Sequence, residues 1–336
     1  MVSKDIIEEM EKQQYRFVGS HSAVKVCGWT RNMINDKGSC YKHKFYGIQS
    51  NKCMQMTTCL SCANRCLFCW RGHKEPVSKE WNGTIDNPEF ILTKSLEAHH
   101  KLLVGFKGSD KAVKYNESTE VKHVALSLTG EPIIYPKINE FIDLCSQKGI
   151  STFLVTNAQY PEHIKSLNRV TQLYLSVDAP TKELLQKIDV PLFADYWKRL
   201  LLSLQYLSQK EERTCIRLTV IKNINDTNHK EYANLITQGN PDFIEVKAYM
   251  HVGSSRDYLE RENMPLHENV VTFSRELAKH LPDYELMSEH IPSRVVLFAK
   301  KKFLKDDGWH TWIDFTNPKN LVKTPVTGIS GKGTLD

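Results

Sequence analysis

The residues of this chain best suited to chemistry are its cysteines. There are nine, and seven of them, Cys27, Cys40, Cys53, Cys59, Cys62, Cys66 and Cys69, precede residue 70 of 336. In a reducing compartment, cysteines crowded into one segment are metal or cluster ligands more often than disulfide partners. Within CLSCANRCLFCW, Cys62, Cys66 and Cys69 form C-x3-C-x2-C, with Phe68 directly before the last thiol. Soft thiolates suit iron-sulfur binding, and three ligands on a 4Fe-4S cluster leave one iron open to a small molecule. A structural zinc site would instead close four ligands around one ion.

Such ligands need a scaffold that gathers polar groups at one rim, and the sequence beyond residue 120 has its pattern. Short β-branched and aromatic runs alternate with amphipathic stretches of helical period, as in β-α units around a parallel sheet. Five strands are expected over 121–132, 152–159, 173–180, 215–223 and 243–250, with a further one over 293–301. KINEFIDLCSQKG, TKELLQKI, DYWKRLLLSLQYLSQ and HKEYANLITQG are the helices expected to cover them. The strands end in polar or small residues: Thr129, Gly130 and Glu131; Asn157; Ser176 and Asp178; Lys222 and Asn223; Lys247 and Tyr249. Parallel α/β folds hold ligands at the carboxyl ends of their strands, so these residues are expected to converge on a pocket, although any single one is as readily a turn former or helix cap. Residues 1–50 lack the β-α rhythm and read as an appended layer, and 316–336, rich in Gly, Thr, Lys and Pro, read as an irregular tail.

Composition narrows the class. With 40% hydrophobic and 25% charged residues the chain is expected to fold rather than stay disordered. Forty-five Lys and Arg against 39 Asp and Glu leave a net charge of +6, which permits an acidic partner without demanding one. No run reaches the roughly 18 to 20 uncharged apolar residues of a membrane-spanning helix. The amino-terminal MVSKDIIEEMEKQQYRF is charged and amphipathic, unlike a signal peptide. A cytoplasmic protein without a membrane partner is expected.

C-x3-C-x2-C with an aromatic before the third cysteine, followed by β-α units whose first strand ends in a glycine-glutamate turn, resembles the radical S-adenosylmethionine superfamily. The resemblance implies an α/β fold, a partial (β/α)6 TIM-like barrel over residues 51–315, with 1–50 as an N-terminal extension. It implies that Cys62, Cys66 and Cys69 hold a 4Fe-4S cluster, that S-adenosyl-L-methionine chelates the open iron, and that reductive cleavage gives a 5′-deoxyadenosyl radical. Thr129, Gly130, Glu131 and Pro132 match the turn that receives the methionine amino group, with Thr129 where the family has a second glycine. Asn157 and Asp178 are candidates for the methionine carboxylate and the ribose hydroxyls.

The longer run CMQMTTCLSCANRCLFCWRGHKEPVSKEW is more specific. With KHKFYGIQSNKC ahead of it and SLTGEP, LVTNAQ and LYLSVDAP behind, it is similar to the 4-demethylwyosine synthase family of the wybutosine pathway, in the archaeal form without a flavodoxin domain. The similarity is dense from Cys27 to Pro180 and thinner to residue 315. It implies that Cys27, Cys40 and Cys53 bind a second 4Fe-4S cluster. Their spacing of thirteen matches no helical or strand period, so on spacing alone they read as isolated core cysteines. Cys59 reads as a packing residue near the cluster, and Cys145 and Cys215 as core residues.

The implied activity joins N1-methylguanosine-37 of tRNA(Phe) to carbons 2 and 3 of pyruvate, giving 4-demethylwyosine. Lys42 matches the family lysine proposed to hold pyruvate as an imine, with chelation by the second cluster as the alternative; in isolation, beside Lys25, Lys37 and Lys44, it reads as a solvated face. Candidate RNA contacts are Arg71, His73, Lys74 and Lys79, and the run Lys300, Lys301, Lys302 and Lys305 with Trp309 and Trp312. An external electron donor such as flavodoxin or ferredoxin and a monomeric state are expected. Two other classes compete: another two-cluster radical enzyme, such as an RNA methylthiotransferase, and a zinc-stabilised RNA-binding module.

Overall fold

In the computed structural model, which describes residues 4–71, 76–108, 112–317 and 320–330, the β-α rhythm becomes one sheet of ten strands. These are β1 (Arg16–Val18), β2 (Ser22–Lys25), β3 (Cys53–Thr57), β4 (His123–Leu126), β5 (Ser151–Thr156), β6 (Gln172–Ser176), β7 (Arg213–Val220), β8 (Phe243–Ala248), β9 (Tyr284–His290) and β10 (Val295–Lys300). Their order is β1-β2-β3-β4-β5-β6-β7-β8-β10-β9. The six strands from β3 to β8 are parallel, and antiparallel strands extend both edges. β1 and β9 end the sheet without pairing to each other, so the barrel is the open, six-strand parallel form the sequence implied.

Successive side chains in a strand point to opposite faces, and the central strands are buried on both. Met54, Val124, Leu154, Leu173, Ile216 and Ile244 pack with helix residues such as Ile142, Ile164, Leu185, Leu204 and Ile236 in the outer core. Their strand neighbours Phe153, Tyr174, Cys215 and Phe243 face the lumen and pack against Tyr41, Phe45 and Tyr46. The helix Tyr41–Tyr46 therefore plugs the barrel. Gly47, at φ 79°, ends that helix, and Trp312 covers it so closely that an added Cβ would lie 3.0 Å from the indole. The Trp312 Nε1–H donates to the Lys44 carbonyl at 3.0 Å, and the Thr311 hydroxyl to the Phe45 carbonyl at 2.7 Å.

Several elements differ from the expectation. The strand expected over 121–132 ends at Leu126, ahead of the turn at Gly130, whose φ is 67°. β3 reads CMQMT, with no β-branched residue before Thr57, and was not anticipated; neither were β1, β2 and β9. The first fifty residues are not a layer outside the barrel, because β1 and β2 continue its sheet and the helix Tyr41–Tyr46 fills its lumen. In the tail, Leu321–Val322 pairs with Trp312–Ile313 and Gly328 bridges Ser288. Among the described residues no helix is long and apolar enough to cross a membrane.

Candidate active site and thiol clusters

After β3 the chain from Cys59 to Trp70 runs as an irregular loop at the carboxyl edge of the sheet. Backbone hydrogen bonds pin it from two sides. Glu131 N–H donates to the Ser61 carbonyl at 2.8 Å; Arg65 N–H donates to Asp189 at 2.9 Å and Leu67 N–H to Ile188 at 2.8 Å. Gly130 closes the first junction, since a Cβ there would stand 1.8 Å from the Cys59 carbonyl oxygen. Only glycine permits that approach at a positive φ.

This loop holds Cys62, Cys66 and Cys69 close enough to act on one another electrostatically. Burial pushes the Cys62 and Cys66 thiols up, and Arg71 opposes this at Cys62. The Arg71 Nε–H donates to Cys69 Sγ at 3.1 Å and its other arm to Thr129 Oγ1 at 2.9 Å. Asn64 N–H and Asn157 Nδ2 each donate to Cys62 Sγ at 3.4 Å. Cys59 is buried beside this triad, its thiol donating to the Ser61 carbonyl at 3.7 Å. Among the described residues no three His, Cys, Asp or Glu side chains gather tightly enough to hold one metal ion. A cubane does not ask for that convergence, because each thiolate binds a different iron.

Three buried carboxyls surround the loop, each with an oxygen that lacks a partner. Glu131 Oε2 accepts from Asn157 N–H at 2.8 Å while Oε1 is unpaired, and burial pushes this carboxyl up to about 7. Burial likewise raises Asp178 to about 6, against the Thr219 hydroxyl and the Arg217 charge, and its Oδ1 is unpaired. Asp189 is raised well above the usual range by burial and then by Asp178; its Oδ2 accepts from Asn64 Nδ2 at 3.2 Å, and Oδ1 has no partner. Leaving such an atom unsatisfied costs on the order of 1–3 kcal/mol. The junction of loop and rim thus fits a ligand that brings an amino group and hydroxyls, the polar groups of S-adenosylmethionine.

A second triad lies in the lumen. Cys27 and Cys40 occupy the N-caps of the short helices Gly28–Ile34 and Tyr41–Tyr46, and Cys53 opens β3. Ser50 ties these segments, its carbonyl accepting from the Thr30 hydroxyl at 2.9 Å and its Oγ from Cys40 N–H at 2.9 Å. The three thiols act on one another electrostatically, so folding brings together what a thirteen-residue spacing could not reveal. Burial pushes Cys40 and Cys53 up to about 12, with Lys42 pulling both back. Iron would deprotonate such thiols outright. Lys42 is not on a solvated face: its Nζ lies 4.5 Å from the Tyr174 ring centre and 5.6 Å from that of Phe153. Lys247 joins this group, donating to the Ser293 carbonyl at 2.8 Å, and burial brings its ammonium down to about 8.

The two triads share one interior. Asp178 acts on Cys66 and on Arg217, and Arg217 acts on Lys247, which faces Cys40. Of these, Arg217 and Asp189 were not anticipated. The available signal for Arg217 was a charge in the middle of CIRLTVIKN, a strand otherwise fit for burial on both faces.

The RNA-contact candidates divide. Arg71 is turned into the site, Lys79 sits 5.7 Å from the Phe193 ring, and His73 and Lys74 lie outside the described residues. The lysine run does not face the site. Lys300 donates to the Asn240 carbonyl at 2.9 Å and Lys302 pairs with Asp242, both just before β8. Because β10 runs antiparallel to β8, the residues after it emerge at the amino end of the parallel strands, opposite the cysteine loop. Trp309 and Trp312 pack there against the lumen plug.

Comparison with known proteins gives consistent findings. Residues 56–236 match the Radical SAM superfamily, and residues 238–300 match a family described as Wyosine base formation. The Mus musculus S-adenosyl-L-methionine-dependent tRNA 4-demethylwyosine synthase TYW1 is 50% identical over 325 residues, which are 96% of this chain and 45% of that protein. The Arabidopsis thaliana tRNA 4-demethylwyosine synthase is 46% identical over 327 residues, 96% of this chain and 50% of that one. The chain spans about half the length of the curated relatives it matches. A structure of TYW1 with a lysine-pyruvate adduct bound is 34% identical, has a TM-score of 0.82, and aligns over 90% of this chain and 97% of that one. The crystal structure of archaeal TYW1 is 31% identical, with a TM-score of 0.75 over 90% and 98% of the two chains.

Proposed function

This chain belongs to the TYW1 family of radical S-adenosylmethionine proteins, and from that premise we propose that it forms 4-demethylwyosine on tRNA. The substrates are N1-methylguanosine-37 of tRNA(Phe) and pyruvate, whose carbons 2 and 3 are retained while its carboxylate is lost. The observation that carries this reading is the pair of thiol triads opening on one barrel lumen, with a lysine between aromatic rings beside the inner triad. The match of residues 238–300 to wyosine base formation favours it over a methylthiotransferase or a zinc-stabilised RNA-binding module.

Cys62, Cys66 and Cys69 would hold a 4Fe-4S cluster, which with S-adenosyl-L-methionine bound would supply a carbon radical able to take hydrogen from the N-methyl group. Glu131, whose Oε1 is unpaired, accepts the methionine ammonium. Asn157 and Asp178 hold the carboxylate and the ribose hydroxyls. Cys27, Cys40 and Cys53 hold a second 4Fe-4S cluster. Lys42 Nζ condenses with the pyruvate carbonyl, releasing water, and the resulting protonated imine is a stronger electrophile than the ketone. The lysine-pyruvate adduct named for the TYW1 neighbour supports a lysine in this role. A flavodoxin or ferredoxin supplies the electron to a cytoplasmic monomer.

The test is anaerobic incubation with dithionite, S-adenosylmethionine, pyruvate and N1-methylguanosine-containing tRNA(Phe), followed by nucleoside mass spectrometry. Conversion of N1-methylguanosine to the two-carbon tricycle is the expected result. Formation of 5′-deoxyadenosine without any such nucleoside overturns the substrate assignment.

A further inference from the structure

We propose that Arg217 binds the carboxylate of the 2-oxo acid held at Lys42 and so selects an oxo acid over other carbonyl compounds. The inference rests on the pyruvate reading above. Arg217 lies in the middle of β7, in register with Ser176 of β6 and Glu245 of β8. Strand alternation puts it on the lumen face with Cys215, whereas Ile216 and Leu218 belong to the outer core. Tyr174, which supports Lys42, precedes Ser176 by two residues on that same face, roughly 7 Å along the strand. Lysine and arginine thus reach one compartment from two levels, a separation suited to a short acid bound at its carbonyl carbon by one and at its carboxylate by the other.

The guanidinium is uncommitted. Among the described residues Arg217 makes no side-chain hydrogen bond or ion pair, although Tyr41, Glu245 and Asp178 all face it. Glu245 uses Oε1 to accept from the Tyr46 hydroxyl at 2.9 Å, and its Oε2 is unpaired, as is the Tyr174 hydroxyl. Arg213, four positions earlier on the same face, is a useful contrast. It donates to the Thr311 carbonyl at 2.7 Å and Gln172 Oε1 at 3.3 Å, and it lies 4.6 Å from the Phe243 ring centre. Arg213 is fixed in the plug, whereas Arg217 keeps its planar fork of donors for a ligand. Lys42, Lys247 and Arg217 gather in this compartment near the carboxyls of Glu245 and Asp178. A guanidinium binds a monocarboxylate through two parallel hydrogen bonds.

The experiment is trapping with sodium cyanoborohydride in the anaerobically reconstituted enzyme, reading the reduced adduct on the Lys42 peptide by mass spectrometry. Pyruvate is compared with pyruvamide, its neutral counterpart. Wild type is expected to half-saturate at far lower pyruvate than pyruvamide. In Arg217→Gln the half-saturating pyruvate concentration should rise on the order of 10- to 100-fold, with pyruvamide unchanged and Arg217→Lys intermediate. An unchanged pyruvate dependence overturns the proposal, and so does equal weakening of both compounds, which marks a structural role. Retained pyruvate trapping with weakened S-adenosylmethionine binding in equilibrium dialysis assigns the guanidinium to the methionine carboxylate and also overturns it. Absence of any wild-type adduct overturns the Lys42 and pyruvate reading itself, and this proposal with it.

Discussion

Replacing Gly130 by alanine adds one methyl group where the strand-end turn meets the cysteine loop. With φ at 67°, the new Cβ would lie 1.8 Å from the Cys59 carbonyl oxygen and 2.8 Å from the Leu60 carbonyl carbon. Both obstacles are backbone, so the turn and the loop must separate by about 1 Å or more before ordinary contact distances return. The 2.8 Å hydrogen bond from Glu131 N–H to Ser61 then stretches out of range, a loss of about 1 kcal/mol or more. Left-handed alanine adds roughly 1–2 kcal/mol. Gly149→Ala is the matched control, because Gly149 has φ 68° and nothing within 4 Å of its added Cβ. Urea unfolding followed by far-UV circular dichroism should show about 1–2 kcal/mol lost in Gly149→Ala and about 2–4 kcal/mol in Gly130→Ala. Only Gly130→Ala should also weaken S-adenosylmethionine binding, since Glu131 and the Asn157 N–H it accepts move with the turn. A Gly130→Ala protein as stable as Gly149→Ala, with undiminished binding, would refute the claim that turn and loop are one unit.

Three other perturbations test separate parts of the structure. Lys42→Ala should retain both clusters by iron and sulfide content and still form 5′-deoxyadenosine, yet give no tricyclic nucleoside; full product in nucleoside analysis excludes the imine. Arg71→Gln removes the cation that donates to Cys69 Sγ at 3.1 Å, so an EPR-monitored redox titration should find the first cluster harder to reduce, and an unshifted midpoint counts against the contact. His99 is buried without a partner on either nitrogen, and burial holds it down to about 4 from 6.5. The unfolded chain therefore binds the extra proton first, and this stability, complete above pH 6.5, is lost as pH falls toward 4. Between pH 7 and 5 the loss amounts to about 2 kcal/mol; urea midpoints at the two pH values should show His99→Leu spared that decline.

How much of this was legible in the sequence depended on how locally each feature is encoded. Cys62, Cys66 and Cys69 sit within one loop, so their spacing alone pointed to a cluster. Cys27, Cys40 and Cys53 come from two helix caps and a strand start, and their convergence is a tertiary fact that spacing could not contain. The same distinction separates the strands. β4 to β8 are buried on both faces and read as apolar runs, whereas β3 carries Cys53, Met54, Gln55 and Met56, residues chosen by the lumen and the outer core rather than by strand propensity.

Charge was the least legible feature, because composition counts it without saying where it goes. The run from Lys300 to Lys305 reads as a candidate RNA contact or, more readily, as a solvated face, and the antiparallel return of β10 carries it to the end of the barrel opposite the cysteine loop. Arg217 and Lys247, by contrast, lie inside strands whose other residues are almost entirely buried. A cation in such a strand must either be neutralised by the fold or await an anion. Arg213 is held within the fold by Gln172, Thr311 and Phe243, whereas Arg217, faced by Glu245 and Asp178 but hydrogen-bonded to neither among the described residues, keeps its donors for a carboxylate. Strand register, which decides which of the two conditions applies, is the piece of information that turns an anomalous arginine into a specificity determinant.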